Sequence, residues 1–529
     1  MHKRRLLQYA LAAAAGPLHL SHAWAGKGAL ADPFALGVAS GAPTENGMVL
    51  WSRIAPAALP SPLASVELRW QIAHDEGFRR IVASGSASAL PQLGHAVHVE
   101  VQGLQPGRWY FYRFLLGSAV SEAGRTRTAP AADTLPDGLR FVFASCQRWE
   151  HGFYAAWRDV AAQSPDLVVF LGDYIYEYAS PKNPAVPPPR SHHLTHAVSL
   201  ADYRDRYALH KSDADLRAAH RACPWIVTWD DHEVENDYAG EHGRADPARF
   251  AAQRAAAYQA FYENMPLPAS ALVRGLAGLG GNDAVRVNQR QGFGRLANFH
   301  LLDTRQFRDL QACRPTSAEG SSANAGTVKP SDCPDLQDPS RTLLGAAQEQ
   351  WLDAGLAADA RHGKVRWTVV AQQTLFSPRH YGGANSAVPT DTWDGYPAAR
   401  QRLLDSVAAH RPQKTVLVGG DIHQNYVCNV HAQDRPDAPV VAAEFCGTSI
   451  SSQSSASQAR IAALMQRNPQ IVFANSQRRG YGLVDITPSR WTTTLRAVDQ
   501  IENEASSVST LATFELEYAN ATVNTVAAR

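Results

Sequence analysis

Short runs of hydrophobic and polar residues follow one another in the early part of the chain. Residues 48–53, 66–72 and 109–114 are rich in β-branched and aromatic side chains, and the last two runs alternate with the period of a half-buried strand. Turn signals, an Asn-Gly at 46–47 and a Pro-Gly at 106–107, separate the runs. Strands at this spacing predict an all-β domain at residues 26–130, a sandwich of the fibronectin or immunoglobulin type.

The pattern changes after residue 138, where continuous apolar strands alternate with amphipathic helices. The predicted strands are 139–145, 167–171, 225–229, 296–302, 365–371, 415–418, 440–445, 482–486 and 491–498, and the predicted helices are 151–162, 200–207, 247–264, 345–358 and 398–410. Apolar strands between helices are typical of a buried, layered α/β core. We therefore expect a second domain at residues 138–529, with loops at 181–189 and 312–340. The tail from residue 501 mixes both patterns and predicts no definite element.

The N-terminus has the pattern of a targeting signal. Basic residues at 3–5 precede an apolar, alanine-rich run, and an A-x-A cleavage motif ends at Ala25. The apolar run is too short to cross a bilayer, and no later stretch is long enough to do so. The pair Arg4 and Arg5 resembles a twin-arginine signal. We expect a signal peptide at 1–25, a mature chain from about Gly26, and export by the twin-arginine translocase to the periplasm or the medium.

Composition narrows the class of protein. The chain has 529 residues, of which 45% are hydrophobic and 19% charged, and this composition excludes wholesale disorder. Its 50 basic and 49 acidic residues give a formal net charge of +1, so no overall field would attract nucleic acid, and no nucleic-acid-binding module is expected. An anionic substrate would have to be attracted by local charge.

Six cysteines are too few for a disulfide-dense scaffold but leave room for a bridge or two. Cys313 and Cys333 flank a predicted loop, and we expect them to be joined in an exported protein. Cys428 and Cys446 lie on neighbouring predicted strands, so a cross-strand bridge is a second possibility. Cys223 is expected to remain a buried thiol.

Residues with metal-binding side chains follow four of the predicted strands. In open α/β sheets, ligands bind beyond the carboxyl ends of the strands. A single carboxylate after a strand is usually a helix cap or a turn residue, but acid, thiol, phenol and imidazole groups at four strand ends predict one site for several metal ions. The candidates are Cys146 after the first strand of the core, Asp173 and Tyr176 after the second, Asp231 and His232 after the third, and Asp421 and His423 after a later one.

The types of ligand indicate which metals the site would take. Thiolate, phenolate, carboxylate and imidazole together suit trivalent iron, Fe3+, and the hard oxygens of Asp231 and Asp421 suit calcium, Ca2+. Asp173 has two oxygens and can bridge both ions. Two ions close together can bind a phosphate oxygen and generate a hydroxide nucleophile, while His232 stabilises or protonates the leaving oxygen. Asp173 and His232 are therefore the candidate catalytic residues.

Several motifs, taken together, are specific for one family. Residues 144–147, 171–177, 229–236, 302–306 and 420–423, with the N-terminal segments 32–41 and 49–53, are similar to motifs of the PhoD-like alkaline phosphatases, within the calcineurin-like, purple-acid-phosphatase-like metallophosphatases. The resemblance covers nearly the whole chain. It implies a layered α/β (α+β) metallophosphatase core with an N-terminal β-sandwich domain, and an alkaline phosphatase D-like phosphoric ester hydrolase.

The resemblance also implies the reaction and the ligands. The reaction is hydrolysis of phosphate mono- and diesters at alkaline pH by an iron–calcium site. The implied iron ligands are Cys146, Asp173, Tyr176 and His423. The implied calcium ligands are Asp173, Asp231 and Asp421, with Asp230 or Asn236 as further candidates. Asn236 and Arg148 are the candidates for contacting the substrate. Arg148 is a candidate by its position close to Cys146, and an arginine exposed to solvent is the alternative.

Two other functions fit parts of the pattern. A phospholipase D-type phosphodiesterase would use the same site on phospholipids, and only substrate profiling separates it from a general phosphatase. A non-catalytic surface-binding protein, in which the β-sandwich binds and the metal is structural, would need a uniform, closed ligand shell. The mixed ligand set argues against this last function.

Overall fold

The computed structural model describes residues 32–59, 61–181, 187–244, 246–272, 285–313, 326–361, 365–383, 385–520 and 522–528. The predicted signal peptide at 1–25 lies outside these residues. Within the described ranges, no helix combines the length and the apolar character that crossing a membrane requires.

The described residues form the following helices and strands, each kind numbered in chain order. The helices are α1 (Ala155–Gln163), α2 (Leu200–Lys211), α3 (Ala214–Ala222), α4 (Pro247–Asn264), α5 (Ala346–Arg361), α6 (Pro397–His410) and α7 (Gln458–Met465). The earlier strands are β1 (Val38–Gly41), β2 (Met48–Arg53), β3 (Val66–Ala73), β4 (Ile81–Ala89), β5 (Ala96–Val101), β6 (Trp109–Leu116), β7 (Ala119–Val120) and β8 (Gly124–Arg127). The later strands are β9 (Leu139–Ala144), β10 (Leu167–Phe170), β11 (Trp225–Val227), β12 (Gln289–Phe293), β13 (Ala297–Leu301), β14 (Thr327–Val328), β15 (Trp367–Ala371), β16 (Val388–Pro389), β17 (Thr415–Gly419), β18 (Asn425–His431), β19 (Val440–Cys446), β20 (Ile471–Asn475), β21 (Arg479–Ile486), β22 (Arg490–Val498), β23 (Val508–Glu517) and β24 (Asn524–Ala528).

The chain divides into two compact units. The first is drawn from Met1–Ala129, Tyr207–Trp225 and Tyr258–Arg286, so it includes α3 as well as the early strands. Its strands form one sheet in the order β1-β2-β5 and another in the order β4-β3-β6-β7, with β8 paired to β6. Pairing inside both sheets is antiparallel, as expected for strands joined by short turns.

A hydrophobic core lies between the two sheets of the first unit. Leu50 and Val99 contribute from one sheet, and Leu68, Ile72 and Phe114 contribute from the other. Such residues recur at even spacing because successive side chains of a strand point to opposite faces. This part of the chain is therefore a β-sandwich.

The second unit is drawn from Pro130–Arg206, Ile226–Ala257 and Val287–Arg529. Its two main sheets have the orders β24-β23-β22-β21-β9-β10-β11 and β12-β13-β15-β17-β19-β18-β20. The strands β9 and β10 are parallel, and so are β13, β15, β17 and β19. Parallel neighbours direct their carboxyl ends to one edge of a sheet, which is where the candidate ligands follow.

The two sheets of the second unit pack face to face over an apolar core. The ring centroid of Phe141 on β9 is 5.2 Å from that of Phe299 on β13 and 5.5 Å from that of Trp491 on β22. Helices α5 and α6 cover the outer face of the second sheet, where Leu356 and Leu403 are buried. The core is thus layered, with strands inside and helices outside.

Most predicted elements of this core are present, with ends that differ by a few residues. Helix α1 begins at Ala155 rather than at residue 151, because Trp149–His151 forms a separate 3-10 turn. The tail from residue 501, whose pattern predicts no element, forms β23 and β24 at the edge of a sheet. Leu511 and Ala512 are both buried where the pairing of β23 with β22 shifts register, so the alternation typical of a strand is broken there.

Of the two possible disulfides, one is present and one is not. Cys313 and Cys333 form a disulfide, which confirms the prediction. The second possible bridge is wrong, because Cys428 and Cys446 are free, buried thiols. In the antiparallel pairing of β18 with β19, Cys428 lies opposite Glu444, so Cys446 is two residues from the position that a bridge requires.

Replacing Cys313 and Cys333 by serine is expected to lower the free energy of unfolding by about 3 kcal/mol, the chain-entropy estimate for a closed loop of about 20 residues. Denaturant unfolding measures the change. A reducing agent should destabilise the wild-type protein by a similar amount and leave the double variant unchanged. Equal stability of the wild-type protein with and without the reducing agent would contradict the prediction.

Candidate metal centre

Two loops run side by side beyond the ends of β9 and β10. The N–H of Cys146 donates to the carbonyl of Gly172 at 3.1 Å, and the N–H of Gln147 donates to the carbonyl of Asp173 at 3.0 Å. These bonds continue the pairing of the two strands past their last residues. Cys146 and Asp173 are therefore held as neighbours at one sheet edge.

Gly172 lets the end of β11 approach this pair. Its φ is +105°, and a Cβ at this position would lie 2.5 Å from the backbone nitrogen of Asp230. Any other residue would be strained at this φ and would collide with that nitrogen. The glycine thus brings Asp173 next to Asp230.

Four candidate ligands have a left-handed backbone. The φ values are 60° for Cys146, 58° for Asp173, 65° for Asp421 and 55° for His423. For residues other than glycine, such values cost of order 1–3 kcal/mol each and concentrate at functional sites, because the surrounding structure must impose them. The four values indicate a site whose geometry is kept at a cost in stability.

The predicted iron ligands lie together. Ligand atoms of Cys146, Asp173 and His423 are within 4.8 Å of one another. The hydroxyl of Tyr176 donates to Asp173 Oδ2 at 2.8 Å and lies 3.2 Å from His423 Nε2. The Nδ1 of His423 lies 2.9 Å from the carbonyl oxygen of Gln453, which can only accept, so Nδ1 carries the proton and Nε2 keeps the lone pair that a metal requires.

Carboxylates that follow β11 and β17 form a second cluster. Oxygens of Asp230, Asp231 and Asp421 lie within 4.8 Å of one another, and Asp173, Asp231 and His232 form an overlapping group. Three buried oxygens find no hydrogen-bond partner in the described part of the chain: Oδ1 of Asp173, Oδ2 of Asp230 and Oδ1 of Asp231. Such an oxygen is costly unless a cation or a water binds it, so the donor set fits metal cations.

A buried arginine balances part of the negative charge. The guanidinium of Arg305 binds Asp230 through Nε, lies 3.6 Å from Asp231 Oδ1 and forms a 2.8 Å ion pair with Asp391. Arg308 adds a second ion pair to Asp391 at 2.8 Å. Burial raises the pKa of Asp231, but the charges of Arg305 and His232 and the backbone hydrogen bonds that it accepts together hold this pKa below its ordinary value. The carboxylates of the cluster still outnumber the two arginines, which leaves negative charge for a metal.

The thiol and the phenol would ionise with difficulty in this buried site. Burial raises the pKa of Cys146 and that of Tyr176 well above their ordinary values, and the charge of Asp173 raises both further. Burial raises the pKa of Asp421 to about 7 and lowers the pKa of His423 to about 3. His423 is therefore neutral, as an imidazole that binds a metal must be, and a polyvalent cation would keep the thiolate and the phenolate ionised near neutral pH.

His232 is held by an acidic partner. Its Nδ1 lies 2.7 Å from Glu177 Oε2, and its ring centroid lies 4.2 Å from that of Tyr176. Burial lowers the pKa of His232, but the carboxylates of Asp231, Glu177 and Asp173 raise it well above its ordinary value. The imidazole thus keeps a proton beside the carboxylate cluster, as a general acid requires.

Glu233 is a positioning group that the sequence pattern does not single out. Its Oε2 accepts from the backbone N–H groups of Asp173 at 3.0 Å and Asp230 at 2.8 Å, and its Oε1 accepts from that of Tyr174 at 2.6 Å. The carboxylate therefore ties the loop after β10 to the loop after β11. The only sequence signal for Glu233 is the acid-rich run 230–235. The spacing within this run does not show which acid binds the backbone N–H groups.

Comparisons with known proteins show the family of this chain. A family model described as "PhoD-like phosphatase" matches residues 141–495, and one described as "PhoD-like phosphatase, N-terminal domain" matches residues 21–130. The chain belongs to the PhoD-like phosphatase family. Alkaline phosphatase D of Bacillus subtilis (strain 168) is 41% identical to this PhoD-like phosphatase over an alignment 496 residues long, which covers 91% of this chain and 80% of the relative.

A solved structure described as "Structure of PhoD" is similar to the whole PhoD-like phosphatase. The TM-score is 0.85 at 37% identity, and the match covers 95% of this chain and 94% of the other. The family resemblance is thereby confirmed, as is the fold class, a layered α/β core with an N-terminal β-sandwich. The enzyme class is confirmed as well, since a PhoD-like phosphatase is a phosphoric ester hydrolase.

The two substrate candidates of this PhoD-like phosphatase differ in their surroundings. The guanidinium carbon of Arg148 lies 5.0 Å from the ring centroid of Tyr178 and 5.7 Å from that of Tyr176, and its Nε lies 3.5 Å from Glu150 Oε2. Asn236 Oδ1 accepts the hydroxyl of Tyr178 at 2.9 Å. Asn236 thus holds Tyr178, and Arg148 pairs with Glu150 beside the rings of Tyr176 and Tyr178.

Proposed function

We propose that this PhoD-like phosphatase is an exported, metal-dependent phosphohydrolase that releases phosphate from monoesters and cleaves diesters. The observation that carries the proposal is a set of three buried carboxylate oxygens that have no hydrogen-bond partner among the described residues. They lie beside the thiol of Cys146, the phenol of Tyr176 and the Nε2 of His423. Bound cations are the physical complement of such a set. The relative named alkaline phosphatase D supports the same class of reaction.

Iron and calcium are the proposed cofactors. The residues that would hold Fe3+ are Cys146, Asp173, Tyr176 and His423, and those that would hold Ca2+ are Asp173, Asp231 and Asp421. When bound, the two ions would polarise the phosphoryl oxygens and lower the pKa of a water molecule that attacks phosphorus. Arg305 engages Oδ1 of Asp230, which leaves Oδ2 of this residue as a further calcium ligand.

His232 is the proposed general acid. Glu177 accepts the hydrogen bond from the Nδ1–H of His232, so the second N–H of the imidazolium is the one at Nε2. His232 forms a group with Asp173 and Asp231. The proton at Nε2 can be donated to the leaving oxygen as the ester bond breaks. Arg148 is proposed to bind a phosphate oxygen, because a guanidinium offers paired donors.

Export is the third part of the proposal, supported by the pattern of residues 1–25. Replacing Arg4 and Arg5 by lysine should stop export if the twin-arginine translocase is used. Mass spectrometry of the exported protein should find a chain that begins near Gly26. Unchanged export of the lysine variant would point to the general secretory route, and an intact Met1 in exported material would contradict cleavage.

Elemental analysis and an activity assay on the purified protein test the function. We expect iron and calcium, and hydrolysis of p-nitrophenyl phosphate and of bis(p-nitrophenyl) phosphate at alkaline pH, lost on chelation and restored by both metals. Phosphatidylcholine vesicles in the same assay test the phospholipase D alternative. A colourless, iron-free protein that hydrolyses both esters at full rate would refute the metal assignment. A metal-loaded protein that hydrolyses no ester would favour a structural metal.

A further inference from the structure

A buried serine hydroxyl lies against the phenol of Tyr176. Ser452 belongs to the segment that follows β19 and is fully buried. Its Oγ is 2.8 Å from the hydroxyl oxygen of Tyr176 and 3.0 Å from the carbonyl oxygen of Cys146. The backbone N–H of Arg148 donates to the same Oγ at 3.0 Å. Because Oγ already accepts a hydrogen bond from this N–H, its own proton is donated either to the oxygen of Tyr176 or to the carbonyl of Cys146.

The carbonyl of Cys146 has other donors. The backbone N–H groups of Ser451 and Ser452 point to it at 3.4 Å and 3.3 Å. A carbonyl oxygen has two lone pairs, so it is satisfied without the serine hydroxyl. The hydroxyl proton of Ser452 is therefore available to the oxygen of Tyr176.

The backbone around Ser452 fixes the position of this hydroxyl. The carbonyl of Ser452 accepts from the hydroxyl of Ser449 and, at 3.1 Å, from Nη1 of Arg479. Arg479 is only 5% exposed, and its Nη2 donates to the carbonyl of Ser476. A buried guanidinium that spans two carbonyl groups is a rigid support, because moving it would leave a charge without its hydrogen bonds.

We propose that Ser452 is a positioning residue for Tyr176, and that Arg479 holds Ser452 in place; the inference rests on the proposed iron site. The hydroxyl of Tyr176 now donates its proton to Asp173. When the phenol binds iron, it would release this proton to solvent, and the hydrogen bond to Asp173 would be lost. The donor from Ser452 remains, so it is the group that stabilises and orients the phenolate oxygen.

A hydrogen bond to the phenolate has a measurable consequence. It lowers the energy of the oxygen lone pairs, so charge transfer from the phenolate to ferric iron requires more energy. Without it, a buried phenolate oxygen loses a donor, which is costly. Removal of a group that supports a metal ligand in this way typically weakens metal binding by about 10–100-fold.

The test compares Ser452→Ala with Ser451→Ala in the purified, iron-loaded protein. Ser451 is the matched control because it is equally buried and its hydroxyl donates to the carbonyl of Arg148, at 2.9 Å, instead. Ser452→Ala should move the phenolate-to-iron absorption band to longer wavelength and weaken iron binding by about 10-fold or more. Resonance Raman spectra excited in this band identify it by the ring modes of the phenolate. Arg479→Gln should move the band in the same direction by less, since the hydroxyl remains.

An unmoved band in both Ser452→Ala and Arg479→Gln would overturn the inference, and so would an equal shift in Ser451→Ala. A colourless wild-type protein would overturn the iron assignment itself, and the inference with it. If Ser452→Ala does not fold, the absorption band of Arg479→Gln is the test. A shift to longer wavelength supports the inference, and an unmoved band rejects it.

Discussion

The Asp173→Asn variant is expected to lose metal and activity together. Asp173 offers Oδ1, which has no partner among the described residues, and Oδ2, which accepts the hydroxyl of Tyr176. It belongs both to the cluster with Cys146 and to the cluster with Asp231. Asparagine has one carbonyl oxygen and no charge, so the substitution removes the negative charge and the second oxygen that bridging both proposed metals requires. Metals that polarise the phosphate and activate water supply several kcal/mol, so kcat/KM should fall by about 10³-fold or more.

Asparagine is chosen because it leaves the backbone conformation at position 173 unchanged. Asp173 has a φ of 58°, a value that asparagine tolerates and alanine does not. Asp166→Asn is the matched control. Asp166 and Asp173 lie at opposite ends of β10, and Oδ2 of Asp166 accepts the backbone N–H of Arg140 instead of facing the candidate metal centre. The control should keep its iron, its calcium and its turnover. Wild-type metal content and turnover in Asp173→Asn would refute the site.

Much of this site can be predicted from the sequence because its ligands follow strands with a clear apolar pattern. β9, β10 and β17 are buried along almost their whole length, and Cys146, Asp173 and Asp421 follow two or three residues after their last residues. The order of strands within the sheets need not be known for this step, since parallel strands share one carboxyl edge.

Other parts depend on contacts that no local pattern encodes. Asp391 meets Arg305 across 86 residues of sequence, and the strand before it, β16, has only two residues, which is too short for a periodic pattern. Glu233 lies among other acids, and only the fold reveals that it binds three backbone N–H groups. The wrong bridge between Cys428 and Cys446 has the same origin, because the register of a hairpin depends on where its turn closes, and a shift of one residue there displaces the partner by two.

The His232→Ala variant is expected to keep both metals and lose turnover. General-acid catalysis contributes about 10²–10⁴-fold, so kcat should fall within this range for substrates whose leaving oxygen needs a proton. Iron and calcium content should stay near the wild-type values, because Nδ1 is engaged by Glu177 and the proposed ligands are other residues. Steady-state kinetics and elemental analysis of the same preparation provide both readouts. Loss of a metal from this variant would make His232 a ligand instead.

The pH profile separates proton donation by His232 from a packing role. Burial lowers the pKa of His232, but the carboxylates of Asp231, Glu177 and Asp173 raise it overall, so the proton is kept below the raised pKa and lost as pH rises through it. Glu177→Gln removes one of these charges and keeps an acceptor for Nδ1, so the pKa of His232 should fall. The alkaline limb of the kcat profile should therefore move to lower pH in Glu177→Gln and disappear in His232→Ala. A Glu177→Gln profile whose alkaline limb stays at the wild-type pH would mean that another group donates the proton.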